Sequence, residues 1–194
     1  MSTMSIAPTE LILGGQKSGK SRRAELLARQ WLDASPDHEA VLIATAQPWD
    51  EEMRQRIARH QADRAERVPG MRTVEEPLAL AEAIRQQSDA RTLVVVDCLT
   101  LWLTNLLMPA ENESNKAPAP MDTARAASLL IAIQESKGPV VLVGNEIGLG
   151  VIPMGREVRA FVDALGRLNQ DVATVCERVT LMAAGLPLSL KGAA

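Results

Sequence analysis

Five mostly apolar runs punctuate the chain, at residues 10–13 (ELIL), 40–45 (AVLIAT), 92–97 (TLVVVD), 140–144 (VVLVG) and 179–184 (VTLMAA). Their apolarity is continuous rather than alternating, which predicts strands buried on both faces. Between them lie stretches with helical spacing and helix formers, at 22–32 (RRAELLARQWL), 50–67, 77–87, 121–137 and 157–176. Strands alternating with helices predict βαβ units, hence an α/β fold of three layers around a mostly parallel central sheet. Gly138 and Pro139 stop the helix that Asp122 is placed to cap.

In open parallel sheets ligands bind beyond the carboxyl ends of the strands. Here those ends carry Thr45 and Gln47, Asp97, and Asn145 with Glu146. These side chains are expected to converge.

With 194 residues the chain suits one domain spanning 1–194. Residues 1–8 read as a frayed, disordered lead-in, and 109–120 (PAENESNKAPAP), polar and rich in proline, as a flexible connection. A formal charge of −3 gives no electrostatic reason for nucleic acid or an anionic membrane as partner. One phenylalanine, three tryptophans and no tyrosine leave little with which to stack single-stranded bases. The two cysteines form no CxxC pair, no run is long enough to span a membrane, and the start lacks an apolar leader, so a cytoplasmic protein is expected.

The first apolar run breaks into LILGGQKSGKS, residues 11–21, which contains GxxxxGK[ST] between a predicted strand and a predicted helix. Glycines let backbone amides curl around an anion, and the helix N-terminus adds its positive end. Lys20 is then placed to reach the outer phosphates and the Ser21 hydroxyl to hold Mg²⁺. A nucleoside triphosphate is the expected ligand and a P-loop NTPase-like fold the expected frame. Asp97, closing VVVD, has the position of an acid that meets Mg²⁺ or its water shell, although a strand-end Asp also caps turns.

Residues 50–67 (DEEMRQRIARHQADRAER) open with three acids and continue with five arginines. Met53, Ile57 and His60 share one helical face, so on local grounds His60 reads either as a partly buried, hydrogen-bonded histidine or as a nucleophile with Arg56, Arg59 and Arg64 beside it. Further on, Gly148, Gly150 and Pro153 prescribe an unusual loop, open to reading as a ligand approach or as a surface turn.

With these residues in hand, the chain resembles the bifunctional adenosylcobinamide kinase / adenosylcobinamide-phosphate guanylyltransferase family of cobalamin biosynthesis. The marks are GGQKSGKSRRAE at 14–25, IATAQPWDEEMRQRIARHQADR at 43–64, TVEEP at 73–77, VVVDCLTLWLTNLL at 94–107, GNEIGLGVIP at 144–153 and GRLNQDVA at 166–173. The resemblance implies phosphorylation of the acceptor, adenosylcobinamide, by ATP or GTP, then transfer of GMP from GTP to the adenosylcobinamide phosphate through a GMP-histidine, which corresponds to His60. It implies nucleotide contacts at Gly14, Gly15, Gln16, Lys17, Ser18, Gly19, Lys20, Ser21, Thr45, Ala46, Gln47, Glu75 and Asp97, with Lys20 and His60 catalytic and Ser21 and Asp97 at Mg²⁺. A homotrimer is implied too. The chain departs from the family's usual Ala-Arg at Gln16-Lys17, trading a bidentate donor for a point charge. The competing readings are a monofunctional P-loop kinase and a nucleotide-dependent switch protein with no small-molecule acceptor.

Overall fold

A computed structural model describes residues 5–48, 50–108 and 123–192. Seven strands form one sheet in the order β3-β2-β4-β5-β1-β6-β7. In chain order the elements are β1 (Thr9–Gly14), α1 (Lys20–Ala34), β2 (Glu39–Ala44), α2 (Glu51–Arg67), β3 (Arg72–Glu75), α3 (Leu80–Gln87), β4 (Thr92–Asp97), α4 (Leu99–Leu107), α5 (Thr123–Gln134), β5 (Val140–Val143), α6 (Arg156–Val175), β6 (Arg178–Ala183) and β7 (Leu186–Lys191). All pairings are parallel except β6 with β7.

The alternation of side chains along each strand explains the layers. Leu11 and Leu13 of β1 face a core shared with Leu80 and Ile84 of α3, Trp102 of α4, Leu129 and Ile133 of α5, and Leu165 and Leu168 of α6. Ile12 faces the other way, onto Ala24, Leu27 and Ala28 of α1. Both sides of the central strands are therefore dry, as their unbroken apolar runs predict. Aliphatic side chains supply most of this interior, and Trp102 is its one fully buried aromatic among the described residues.

Two strands differ from expectation. β3 is four residues at the sheet edge and β7 is exposed along its whole length, so neither carries a continuous apolar run. The lead-in also needs correction over residues 5–8. Ala7 is buried, Pro8 C=O accepts a hydrogen bond from Val140 N–H, and Ser5 holds the Arg178 guanidinium through its carbonyl and hydroxyl oxygens. Asp122 and the 109–120 connection lie outside the described residues.

Glu10 is the polar exception inside the sheet. It is 1 % exposed and receives hydrogen bonds from Arg23 Nε at 2.9 Å and Thr180 Oγ1 at 2.8 Å, with Arg178 Nη1 at 3.3 Å. This knot ties β1, α1 and β6 together behind the phosphate loop.

Candidate active site

The loop joining β1 to α1 takes its shape from glycine where side chains are excluded. Gly14 has φ +153°, and a Cβ there would lie 2.5 Å from Met182 O and 2.6 Å from Ser18 Oγ. Gly19 caps α1 in a left-handed conformation, φ +103°. Lys20 Nζ reaches back to Gly15 O at 2.6 Å, so the ammonium lies across the loop where phosphates would be held. Ser18 Oγ is buried with no hydrogen-bond partner, an orphan polar atom inside the cradle. The turn between β6 and β7 supports the loop from outside, with Gly185 N–H donating to Ser18 O at 3.0 Å.

Ser21 Oγ donates to Asp97 Oδ2 at 2.8 Å. The first turn of α1 and the end of β4 thus meet across the sheet, placing a hydroxyl and a carboxylate together in an all-oxygen set that suits a hard cation such as Mg²⁺. Among the described residues no group of three or more His, Cys, Asp or Glu forms a metal cage. A cation at Ser21 and Asp97 would therefore draw its other ligands from nucleotide and water.

Thr45 is fully buried at the end of β2. Its Oγ1 donates to Cys98 O at 2.8 Å and accepts from Cys98 N–H at 2.9 Å, while Thr45 N–H donates to Asp97 O at 3.2 Å. Ala46 and Gln47 follow, half-buried. Asn105 of α4 donates through Nδ2 to Thr45 O at 2.8 Å and to Pro77 O at 3.2 Å, fastening the β2 and β3 exits to one buried amide. The only sequence signal for Asn105 is an amide in the otherwise apolar run LWLTNLL. Glu75 ends β3, exposed, opposite Ala44 in register.

Cys98 is no nucleophile. Burial, aided by the neighbouring Asp97 carboxylate, pushes its thiol pKa up to about 12.

His60 sits on α2, whose N-terminus Asp50 caps by accepting from Met53 N–H at 2.7 Å. Met53 and Ile57 are half-buried, but His60 is exposed, so the reading of a partly buried histidine does not describe it. No hydrogen bond or ion pair engages its ring or joins it to the phosphate loop among the described residues. The helix itself is fastened to α1, since Arg67 Nη1 pairs with Glu25 Oε2 at 2.8 Å and Val68 is buried beside α1.

One turn beyond His60, Arg64 is half-buried, with Nη2 3.4 Å from Thr73 Oγ1 of β3. Burial draws its pKa below the ordinary arginine value, opposed by the carboxylates of Glu25 and Asp97. The field of Asp97 thus reaches α2, a link that the charge run alone did not single out.

Residues 10–190 match the family model described as cobinamide kinase / cobinamide phosphate guanyltransferase. The bifunctional adenosylcobalamin biosynthesis protein CobP of Pseudomonas aeruginosa is 49% identical over 183 residues, covering 94% of this chain and 97% of that protein. Its counterpart CobU of Escherichia coli is 36% identical over 189 residues, covering 93% and 98%. Among solved structures, the flagellar accessory protein FlaH of Methanocaldococcus jannaschii superposes with a TM-score of 0.52 at 11% identity, over 96% of this chain and 79% of that one. The ATPase domain of another protein superposes with a TM-score of 0.50 at 15% identity, over 90% and 69%. Those two likenesses establish the P-loop NTPase fold.

Proposed function

This chain belongs to the cobinamide kinase / cobinamide phosphate guanyltransferase family, and from that premise we propose that one phosphate cradle serves two successive reactions on adenosylcobinamide. In the first, the acceptor's aminopropanol hydroxyl attacks the γ-phosphorus of ATP or GTP, and the bond to the departing nucleoside diphosphate breaks. In the second, the neutral imidazole of His60 attacks the α-phosphorus of GTP and pyrophosphate leaves. An oxygen of adenosylcobinamide phosphate then displaces the histidine from the GMP-histidine, giving adenosylcobinamide-GDP.

The residues have matching tasks. Loop amides from Gly14 to Ser21 and the ammonium of Lys20 stabilise the charge that gathers on the departing phosphates. Ala46, Gln47, Glu75 and Asp97 are assigned to the nucleotide surface with the buried Thr45 bracing it from within, and the half-buried Arg64, in the field of Asp97, would add positive charge there. Ser21 and Asp97 would hold Mg²⁺, which when bound neutralises phosphate charge.

His60, exposed and unengaged among the described residues on a helix fastened to α1 by Arg67 and Glu25, is the observation that carries the guanylyl step. Its test is incubation with α-labelled GTP. The protein is expected to acquire label that acid releases and alkali does not, and that adenosylcobinamide phosphate discharges. Cobinamide-dependent phosphorylation without any such label would instead indicate the monofunctional kinase, and nucleotide turnover indifferent to cobinamide the switch protein.

A cytoplasmic setting and a homotrimer belong to the same reading. Cys98 and Cys176 are free, buried thiols, in keeping with a reducing compartment. None of the described helices is long and apolar enough to cross a membrane. Strand β7 leaves one edge of the sheet open and exposes Leu186, Leu188 and Leu190, alternate residues of one face, at 70%, 57% and 55%. Edges of that kind invite a partner strand or surface. Light scattering behind size-exclusion chromatography should give three times the chain mass, and L188K together with L190E should lower it; an unchanged mass would move the contact elsewhere.

A further inference from the structure

We propose that Glu146 is the general base of the phosphorylation step, taking the proton from the acceptor hydroxyl as it attacks the γ-phosphorus; the assignment rests on the two-reaction reading above. The argument begins with strand order. β5 lies between β1, which leads into the phosphate loop, and β4, which ends at Asp97. Pairing with β1 continues past the end of β5, because Gly144 N–H donates to Ile12 O at 2.9 Å and Glu146 N–H to Gly14 O at 3.1 Å. The backbone of Glu146 is thereby level with the first glycine of the cradle.

Its position is fixed from both sides. The preceding Asn145 donates N–H to Thr100 Oγ1 at 2.9 Å, and its carbonyl accepts from Asn169 Nδ2 at 3.1 Å. The carboxylate is held through one oxygen only, Oε1, which accepts Gly148 N–H at 2.8 Å. A Cβ at residue 148 would stand 3.0 Å from that oxygen, so glycine there keeps the contact open. Among the described residues no ion pair engages Glu146 and its second oxygen has no partner.

Three other carboxylates at this end of the molecule have tasks already. Asp97 accepts from Ser21, Glu25 pairs with Arg67, and Glu76 accepts the N–H groups of Leu78 and Ala79 at the start of α3. Glu75 is on β3, at the far edge of the sheet from the phosphate loop. A half-buried carboxylate beside the loop with a free oxygen is what accepting a hydroxyl proton in phosphoryl transfer requires. The step balances: the hydroxyl oxygen bonds to the γ-phosphorus, the bond to the nucleoside diphosphate breaks, and the proton passes to Glu146 and then to water.

The variant Glu146→Gln keeps an oxygen for Gly148 N–H and loses basicity. With the full-length protein, adenosylcobinamide and ATP, its turnover in phosphorylation is expected to fall on the order of 10²-fold or more. Labelling of the protein by α-labelled GTP, and its discharge by separately prepared adenosylcobinamide phosphate, are expected to continue at the wild-type rate. Glu146→Asp should recover part of the phosphorylation. Undiminished phosphorylation in Glu146→Gln would overturn the assignment, and so would equal loss of both reactions, which would make Glu146 a support of the loop. Failure of the wild-type protein to become labelled would instead strike at the guanylyl reading, leaving the test of Glu146 intact.

Discussion

His60→Ala is expected to lower GMP transfer on the order of 10³-fold or more while phosphorylation of adenosylcobinamide continues, because in the proposed scheme it removes the nucleophile and with it the covalent route. The split follows from where the side chain stands. His60 is exposed on α2 and bonded to nothing among the described residues, so its removal costs the fold no packing and no hydrogen bond. The cradle at Gly14 to Ser21, to which the proposed scheme assigns both reactions, is built on other elements. Separate assays with γ-labelled ATP and α-labelled GTP would check it. Equal loss of both activities would assign His60 a shared or structural task.

The largest effect on stability is expected at Glu10. Glu10→Ala leaves the guanidinium groups of Arg23 and Arg178 buried without their carboxylate, and breaking a buried pair from one side costs about 3–5 kcal/mol. That is a large share of the roughly 5–15 kcal/mol by which a native domain is stable. Thr180 Oγ1 loses its acceptor as well. Urea unfolding should show a much lower midpoint with little change in slope. A midpoint shift equivalent to less than about 1 kcal/mol would mean that the arginines find water or other acceptors.

How much of this was legible beforehand depended on burial. The five inner strands announced themselves because both their faces are dry, which forces continuous apolar runs. β3 (RTVE) and β7 (LPLSLK) escaped notice because edge strands face water and need no such run. The phosphate loop was legible because its chemistry is local in sequence. Its partners were less so: Ser21 meets Asp97 across 76 positions, and Asn105 reaches Thr45 across 60, distances that only strand order closes. For His60 the helical stripe pointed toward burial, whereas α2 lies at the rim of the α1 layer and leaves that part of its surface in solvent. Ser5 to Pro8 looked unstructured since polar and small residues carry no period, yet their backbone and hydroxyl groups satisfy Arg178 and Val140.

The bond from Gly185 N–H to Ser18 O has a bearing on how the molecule comes into being. β1, an early strand, is flanked by two late ones, β5 and β6, and the loop that follows it leans on the turn after β6. A nascent chain emerging from the ribosome therefore carries the nucleotide motif before this particular support exists. The outer brace of the loop is completed only when the closing hairpin is translated and docked, so a chain that stops short of Gly185 lacks that support of the cradle.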